Sequence, residues 1–262
     1  MFQYQRLNTL QCERFSQFAE YLQQENRAFN LTRIVDTSQI YLRHFADSLE
    51  ALPWLDAALA RSEKPRLIDV GSGAGLPGLA IAIARPRWEI ISLDATGKKI
   101  GFQQRVIHRL GLSNATALQG RAEDLAHQRA FRERFDAVLA RAVGPLRVLC
   151  ELCVGFMGIG GRLVTAKGSE VGPEIEQARS ICESLHLDLE TVTPYSLSDL
   201  AQKMETSLKT EDATFNLLVL TKKASISSMY PRPFGVIKGS ARKVSGTRAP
   251  DGTEGDCPPH IA

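Results

Sequence analysis

Glycines and carboxylates are concentrated in one short stretch of the chain. Asp69 lies in the apolar run 67–70, and glycines follow at positions 71, 73, 75 and 78. Because glycine has no Cβ and adopts positive φ, such a loop lets the backbone approach a bound small molecule closely. The entropy lost in ordering several glycines within so few residues favours a ligand-binding loop over a simple turn. In an open α/β sheet, loops of this kind lie at the carboxyl ends of the strands, where ligands bind.

The loop fits two ligand patterns. Residues 73–78 match G-x-G-x-x-G, the dinucleotide fingerprint. Residues 71–75 match G-x-G-x-G, which resembles the cofactor loop of S-adenosylmethionine (SAM) methyltransferases. Asp69 favours SAM, whose sulfonium and ammonium groups attract carboxylates, whereas a pyrophosphate requires backbone N–H groups. Pro77 within the dinucleotide pattern also disfavours that alternative.

Three further predicted strands end in polar side chains. Asp94 ends the second and is placed to accept both hydroxyls of a ribose, which SAM and NAD share. Ala122 and Glu123 follow the third and are placed to meet an adenine edge, although Glu123 also suits a solvated helix N-terminus. Arg141 follows the fourth and suits the methionine carboxylate, a nucleic acid or a surface ion pair.

Regular alternation of strands and helices brings these ends together. The expected strands are 67–70, 88–93, 115–119, 135–140, 161–167, 189–192 and 214–221. The expected helices between them are 79–86, 98–110, 145–156 and 174–187. This order predicts an α/β protein with a doubly wound, mostly parallel seven-stranded sheet.

Helical segments without strand partners precede the sheet. Phe15, Phe18 and Leu22 form one apolar face, and a second helix is expected from about residue 36. We therefore expect an N-terminal helical cap over residues 1–62, a cofactor-binding domain over 63–222 and a basic, flexible tail over 223–262. His44 and Asp47 are one helical turn apart, which favours a local hydrogen bond over a metal or acid–base role.

Composition limits the class of protein. The chain has 262 residues, of which 44% are hydrophobic, which suits one sizeable α/β domain. The sequence lacks an apolar run near the length of a membrane span and an apolar N-terminal signal region. The five cysteines are unevenly spread, as expected for free thiols in a cytoplasmic protein. Cys150 and Cys153 form C-x-x-C, but core packing is favoured over metal or redox chemistry.

Positive charge is concentrated at the C-terminus. Residues 222–262 contain seven basic and three acidic side chains, whereas the remainder contains 25 basic and 26 acidic ones. Such a tail indicates either a polyanionic partner or a solubilising segment. Beyond Gly239 the composition predicts disorder.

Several motifs together resemble the RsmG, or GidB, family of bacterial 16S rRNA guanine-N7 methyltransferases. They occur in order over about residues 26–221, at 29–32, 44–48, 69–79, 93–99, 121–124, 140–142 and 166–168. The Gly-Leu-Pro-Gly continuation at 75–78 separates this family from other methyltransferases. Tyr-Pro-Arg at 230–232 is similar to a tail motif of many members.

The resemblance implies a Rossmann-like class I SAM-dependent methyltransferase fold and SAM as methyl donor. It implies that the acceptor is guanine 527 in the decoding-region loop of 16S rRNA, within the small ribosomal subunit. It also implies that the SAM contacts are Gly71, Leu76, Ala122, Glu123 and Arg141. The physical argument above adds Gly73 and Asp94. We further expect a cytoplasmic monomer without a metal.

The expected chemistry requires no proton transfer before attack. Guanine N7 has a free lone pair at neutral pH, so no general base is needed and no catalytic side chain is named. Positive charge must hold the RNA. The candidate residues, each of which also suits a solvated face, are Arg33, Lys98, Lys99, Arg121, Lys167, Lys222, Lys223 and Arg232.

Two other functions fit parts of this pattern. An NAD-dependent oxidoreductase is suggested by Gly73, Gly75, Gly78 and Asp94. An RNA-binding protein with a degenerate cofactor pocket is the other alternative, and the intact loop and Arg141 disfavour it.

Overall fold

A twisted sheet runs through the middle of the protein. The computed structural model describes residues 2–204, 206, 210 and 213–244. Its strands are β1 (Arg66–Val70), β2 (Glu89–Asp94), β3 (Ala115–Gln119), β4 (Phe135–Arg141), β5 (Met157–Gly168), β6 (Leu187–Ser196) and β7 (Thr214–Lys222). The spatial order is β3-β2-β1-β4-β5-β7-β6, with β7 antiparallel to both neighbours and the other pairs parallel. The expected mostly parallel seven-stranded sheet of an α/β protein is confirmed.

Helices cover both faces of this sheet. Before β1 they are α1 (Thr9–Phe29), α2 (Thr37–Ile40), a π-helical segment (Tyr41–Ala46), α3 (Asp47–Leu49) and α4 (Leu52–Leu59). The others are α5 (Gly78–Ala84), α6 (Gly97–Leu110), α7 (Ala122–Leu125), α8 (Leu146–Val154), α9 (Gly172–Ser184), α10 (Leu197–Lys203) and α11 (Phe234–Val244). α6 ends at Gly111, whose φ of 62° lets the chain reverse direction, as predicted.

Several element boundaries differ from the sequence expectation, and for two of them strand pairing gives the reason. β5 begins at Met157 instead of residue 161, because Met157 pairs with Phe135 across an irregularity in the β4–β5 register. The helix expected to reach Leu187 ends at Ser184, since Leu187 begins β6 and pairs with Lys222. In the second case, strand pairing overrides a helical pattern of apolar residues.

The N-terminal helices share an apolar core with one face of the sheet. Phe45 from the π-helical segment lies between Phe15 and Phe18 of α1, with ring centroids 5.1 Å from each. This aromatic group is continuous with buried side chains of α5 and β1, including Leu79 and Leu67. The helices are therefore packed on the sheet, and the boundary at residue 62 stays a prediction.

The C-terminal segment corrects the expectation of a flexible tail from residue 223. Ile226 and Ile237 are buried in the second apolar cluster, against α8 and its neighbours. Residues 223–237, called the C-terminal strap below, are held by this packing. The part of the predicted tail beyond residue 244, including Cys257, lies outside the described residues.

Buried cysteines occupy the core as predicted. Cys150 and Cys153 of α8 are fully buried, and the Sγ atom of Cys150 lies 3.6 Å from that of Cys182. Burial raises the pKa of the Cys153 thiol, so it stays protonated. Within the described ranges, none of the helices has the length and apolar character to cross a bilayer.

Candidate active site

The glycine-rich loop follows β1 and is tied to β2. The N–H groups of Gly71 and Ser72 both donate to Leu93 O, at 2.9 and 3.0 Å. Gly71, Gly73 and Gly75 all have positive φ, from 60° to 86°. A Cβ at Gly71 would lie 2.5 Å from Val143 Cγ2, whereas one at Gly73 would meet open space. Gly71 therefore allows two segments to approach, and Gly73 leaves room beside the loop for a ligand.

Gln103 holds the loop from below, a role that sequence reasoning missed. This fully buried side chain of α6 donates through Nε2 to Ser72 Oγ and to Gly73 O, both at 2.8 Å. The sequence did contain a signal for this role, since Gln103 is a polar residue one turn from Ile100 on the apolar face of a predicted helix. Two hydrogen bonds to one loop fix its shape before any ligand arrives.

Asp94 lies at the carboxyl end of β2 and is almost fully buried. Its Oδ2 accepts from Gly73 N at 2.9 Å, its Oδ1 accepts from Thr96 N at 2.8 Å, and Lys99 Nζ lies 3.4 Å from Oδ2. The carboxylate is thus held by the loop it faces. Its remaining lone pairs suit ribose hydroxyls.

A cavity of about 120 Å³ opens beside Asp94. It brings together Gly71, Asp94, Ala122 and Glu123 from the ends of β1, β2 and β3. The other lining residues are Val70, Leu93, Ala95, Gly120, Arg121, Val143, Leu152 and Phe234. Leu76 of the predicted SAM contacts is buried in the apolar core, and Arg141 lines a second cavity.

Asp69 is completely buried at the end of β1. Its Oδ2 accepts from Gly78 N at 2.8 Å, and its Oδ1 has no hydrogen-bond partner. Burial raises the pKa of this carboxyl to about 7, while the Gly78 N–H and the Arg141 charge act in the opposite direction. Because Asp69 already occupies the Gly78 N–H, that donor is not available to a pyrophosphate, which disfavours the dinucleotide alternative.

The residues at these strand ends fit a SAM molecule. Open space beside Gly73 matches a ligand that lies against the backbone, and Asp94 and Glu123 line the adjoining cavity. Such a concentration of carboxylates favours a cationic ligand over a diphosphate.

Arg141 at the end of β4 connects the sheet to the N-terminal helices. Its Nη1 donates to Asp47 Oδ2 at 2.5 Å, and the Tyr195 hydroxyl donates to Asp47 Oδ1 at 2.6 Å. Burial and the charge of Asp47 raise the pKa of Tyr195, so its phenol stays protonated. The ion pair is largely buried, with 17% and 12% of the two side chains exposed.

The local hydrogen bond expected between His44 and Asp47 is present only in the backbone, where Asp47 N–H donates to His44 O, because both side chains bond elsewhere. His44 Nε2 lies 2.8 Å from Thr32 Oγ1, and Asp47 bonds Arg141 and Tyr195. Burial lowers the pKa of His44 to about 4, with a further contribution from Arg141, so the imidazole is neutral. For Asp47, the hydrogen bonds to β4 and β6 are formed in place of a side-chain bond to the nearby His44.

A second cavity, of about 390 Å³, adjoins the Asp47–Arg141 pair. Tyr195 of β6 and Phe215 of β7 line it as a stacked pair, with ring centroids 5.6 Å apart. The remaining lining residues are Ile34, Arg43, Ala142, Ala166, Lys167, Gly168 and Leu197. Sequence reasoning missed both aromatics, since only the antiparallel β6–β7 register sets them opposite each other. Arg141 and Ala142 line this cavity, and the next residue along the chain, Val143, lines the first one.

The predicted RNA-binding cations fall into two groups. Arg33, Lys98, Arg121 and Lys223 are exposed, and Lys99 is 33% exposed beside Asp94. The others are held by short hydrogen bonds: Lys167 donates to Glu174 and Gly144 O, Lys222 to Glu133, and Arg232 to Glu151. In the exposed group, Arg121 and Lys223 have longer ion pairs, each at 3.8 Å, with Glu123 and Asp188. Lys222 is fully buried, so its prediction as a phosphate contact is wrong.

Metal ligation was not expected, and the geometry adds no candidate. Among the described residues, His, Cys, Asp and Glu side chains do not gather in a group of three suited to a metal ion.

Comparison with known proteins identifies relatives over most of the chain. The family model described as GidB, rRNA small subunit methyltransferase G, matches residues 11–203. A ribosomal RNA small subunit methyltransferase G from Gloeobacter violaceus is 37% identical over 239 residues, which cover 91% of this chain and 92% of the relative. The protein of the same name from Clostridium kluyveri is 35% identical over 86% of this chain and 89% of its own length.

Proposed function

The chain belongs to the rRNA small subunit methyltransferase G, or GidB, family, and we propose that it methylates guanine 527 of 16S rRNA at N7. SAM is the methyl donor, and the substrate is the rRNA of the small ribosomal subunit. One observation carries the proposal: consecutive residues at the carboxyl end of β4 line the two cavities, Arg141 and Ala142 the second and Val143 the first. A donor in the first cavity and a base in the second would meet at this segment.

The first cavity holds the adenosine part of the donor. Asp94 accepts the ribose hydroxyls, and Ala122 and Glu123 contact the adenine edge, because these residues line the cavity at the ends of neighbouring strands. Gly71 and Gly73 form the backbone cradle, and Leu76 shapes the loop from the core. When bound, SAM supplies an electrophilic methyl group on a sulfonium.

The second cavity is proposed to receive the guanine. The face of Phe215 offers a stacking surface for a base turned out of the RNA, and its partner Tyr195 supports it. Arg141 stands between the cavities, where it orients either the methionine carboxylate or the RNA. Base stacking and the shared wall bring N7 in line with the methyl group, which is the main source of rate enhancement.

The polar groups that line the second cavity suit an acceptor that gives up no proton. The Asp47 carboxylate already accepts from Arg141 and Tyr195, and Lys167 donates to Glu174. The raised pKa of Tyr195 keeps its phenol neutral. A nucleophile with a free lone pair, such as guanine N7, needs no base from this set.

The RNA backbone is proposed to contact the exposed cations near the cavities. Lys98 at the start of α6 and Arg121 after β3 lie on the cofactor side of the sheet, and Arg33 lies in the loop between α1 and α2. Lys99, Lys167 and Arg232 instead bind the carboxylates of Asp94, Glu174 and Glu151, so their proposed role is to hold these side chains in place. The protein is expected to act as a cytoplasmic monomer.

Tritium transfer from labelled SAM tests this proposal. The acceptors are small ribosomal subunits and naked 16S rRNA from a strain lacking the gene, and the labelled nucleotide is located by cleavage at 7-methylguanine. Label at guanine 527 is expected. Label elsewhere, or none on either acceptor although SAM binds, contradicts the proposed substrate.

A further inference from the structure

One wall of the first cavity comes from a distant part of the chain. Phe234 begins α11 and is an aromatic lining residue among mostly small, aliphatic and charged ones. It is half-buried, packed against the apolar cluster that contains α8. The family model match ends at residue 203, so this wall lies outside the matched region.

The C-terminal strap brings Phe234 to the cavity through a charged anchor. Arg232 donates through Nε and Nη2 to the two oxygens of Glu151, each at 2.6 Å, and its backbone N–H donates to Glu151 Oε1 at 3.0 Å. Glu151 is 1% exposed on α8. A bidentate pair with a buried carboxylate fixes both distance and orientation.

Backbone contacts hold the strap on the other side of this anchor. His127 Nε2 lies 2.9 Å from Pro231 O, and Arg132 Nη1 donates to Tyr230 O at 2.9 Å. Ile237, one turn after Phe234, is 1% exposed. Phe234 is thus held along the chain by the Arg232–Glu151 ion pair before it and by the buried Ile237 after it.

We propose that Phe234 stacks on the adenine of SAM and that the C-terminal strap is the outer wall of the donor site. Adenine has a π face that an aromatic side chain recognises by stacking. Asp94, at the end of β2, holds the ribose in the same cavity, and Ala122 and Glu123 offer the adenine edge its polar contacts. Phe234 supplies the face contact and acts as a donor-positioning residue. This inference rests on the proposed donor.

Binding of S-adenosylhomocysteine and 5′-methylthioadenosine, measured by calorimetry, tests the inference without any RNA. Phe234→Leu keeps apolar volume but has no ring, and Phe234→Trp keeps a stacking surface. The control is Val236→Ala, since Val236 is 48% exposed on the same helix. Thermal unfolding of every variant verifies that the fold is intact.

We expect Phe234→Leu to raise the Kd of both ligands by about tenfold, the loss typical of one base–aromatic stack. Phe234→Trp and Val236→Ala should stay within about twofold of the parent protein. In methyl transfer, Phe234→Leu should raise KM for SAM with little change in kcat, which a purely structural defect would not do.

Two results would overturn the inference. The first is an unchanged Kd in Phe234→Leu while the parent binds S-adenosylhomocysteine, and this leaves the proposed function standing. The second is a parent protein that binds neither ligand, which also removes the proposed donor. An effect of Phe234→Leu on binding, together with no methyl transfer to rRNA, supports the adenine contact and contradicts the substrate alone.

Discussion

Arg141 and Asp47 form an ion pair that joins the end of β4 to the start of α3, with Nη1 and Oδ2 2.5 Å apart. The pair ties the N-terminal helices to the edge of the sheet where the second cavity opens. Because Tyr195 also donates to Asp47, three distant segments meet at one carboxylate.

Asp47→Asn should lower the free energy of unfolding by about 3 kcal/mol, because it leaves the largely buried Arg141 guanidinium without a counter-charge. Tyr195→Phe removes one hydrogen bond and should cost about 1 kcal/mol. Urea unfolding measures both values. A loss of the same size in the two variants would contradict a dominant role of the charge.

Gly71→Ala and Gly73→Ala should separate folding from ligand binding. A methyl group at Gly71 meets Val143 and has an unfavourable φ of 72°, so we expect a stability loss of about 2–4 kcal/mol. At Gly73 only the φ of 60° is unfavourable, and the loss should be about 1 kcal/mol. Gly73→Ala should nevertheless weaken SAM binding, since the methyl group points into open space beside the loop. Thermal unfolding with and without SAM distinguishes the two effects.

Asp94→Asn should raise the Kd of SAM by about 10- to 100-fold, because the ribose hydroxyls lose a charged acceptor. The matched control is Asp124→Asn, which changes an exposed acid in the segment after β3 and should leave the Kd unchanged. Calorimetry measures both. Equal binding by the two variants would exclude Asp94 as the ribose acceptor.

Asp69 should make stability depend on pH in the ligand-free protein. Its carboxyl has a pKa of about 7 when folded and about 4 when unfolded, so between these values the folded chain alone keeps the proton. The contribution of Asp69 to the free energy of unfolding therefore falls as pH rises, by at most about 1.4 kcal/mol per unit, and levels off above the folded value.

Asp69→Asn retains an acceptor for the Gly78 N–H but does not titrate. The variant should therefore gain stability relative to the parent protein as pH rises from 5 to 7, and the difference should be constant above about pH 8. Urea unfolding at pH 5, 6, 7 and 8 measures this difference. A difference that does not change with pH would show that Asp69 titrates normally.

Lys98 and Lys167 should differ in their effect on RNA binding. Lys98→Ala removes an exposed cation and should reduce the slope of log K against log salt by about 0.9. Lys167→Ala removes the cation paired with Glu174, which then keeps only its hydrogen bond from Leu146 N, so the variant should lower stability and leave that slope unchanged. Filter binding of 16S rRNA at several salt concentrations, with thermal unfolding, compares the two. A lower slope for Lys167→Ala would contradict this prediction and indicate that Lys167 contacts the RNA.

Local sequence determined the framework of the donor site. Alternating apolar runs predicted the seven strands, and the glycines at 71, 73 and 75 predicted a loop with positive φ. Asp94, Ala122 and Glu123 were predicted to lie together because parallel strands end at one edge of the sheet, and they line one cavity. Such features depend on the conformations that each residue type allows and on the spacing of apolar residues along a helix or strand. Both can be read from the sequence alone.

Only the tertiary structure decided which partner each polar or aromatic side chain has. Asp47, Arg141 and Tyr195 meet from distant segments, and Phe215 lies opposite Tyr195 through the β6–β7 register. Phe234 reaches the first cavity through the C-terminal strap. Lys222 has the residue type of a phosphate contact, yet burial and Glu133 make it part of the core. Residue type states what a side chain is able to bind, whereas the packing of the whole chain determines what lies within its reach.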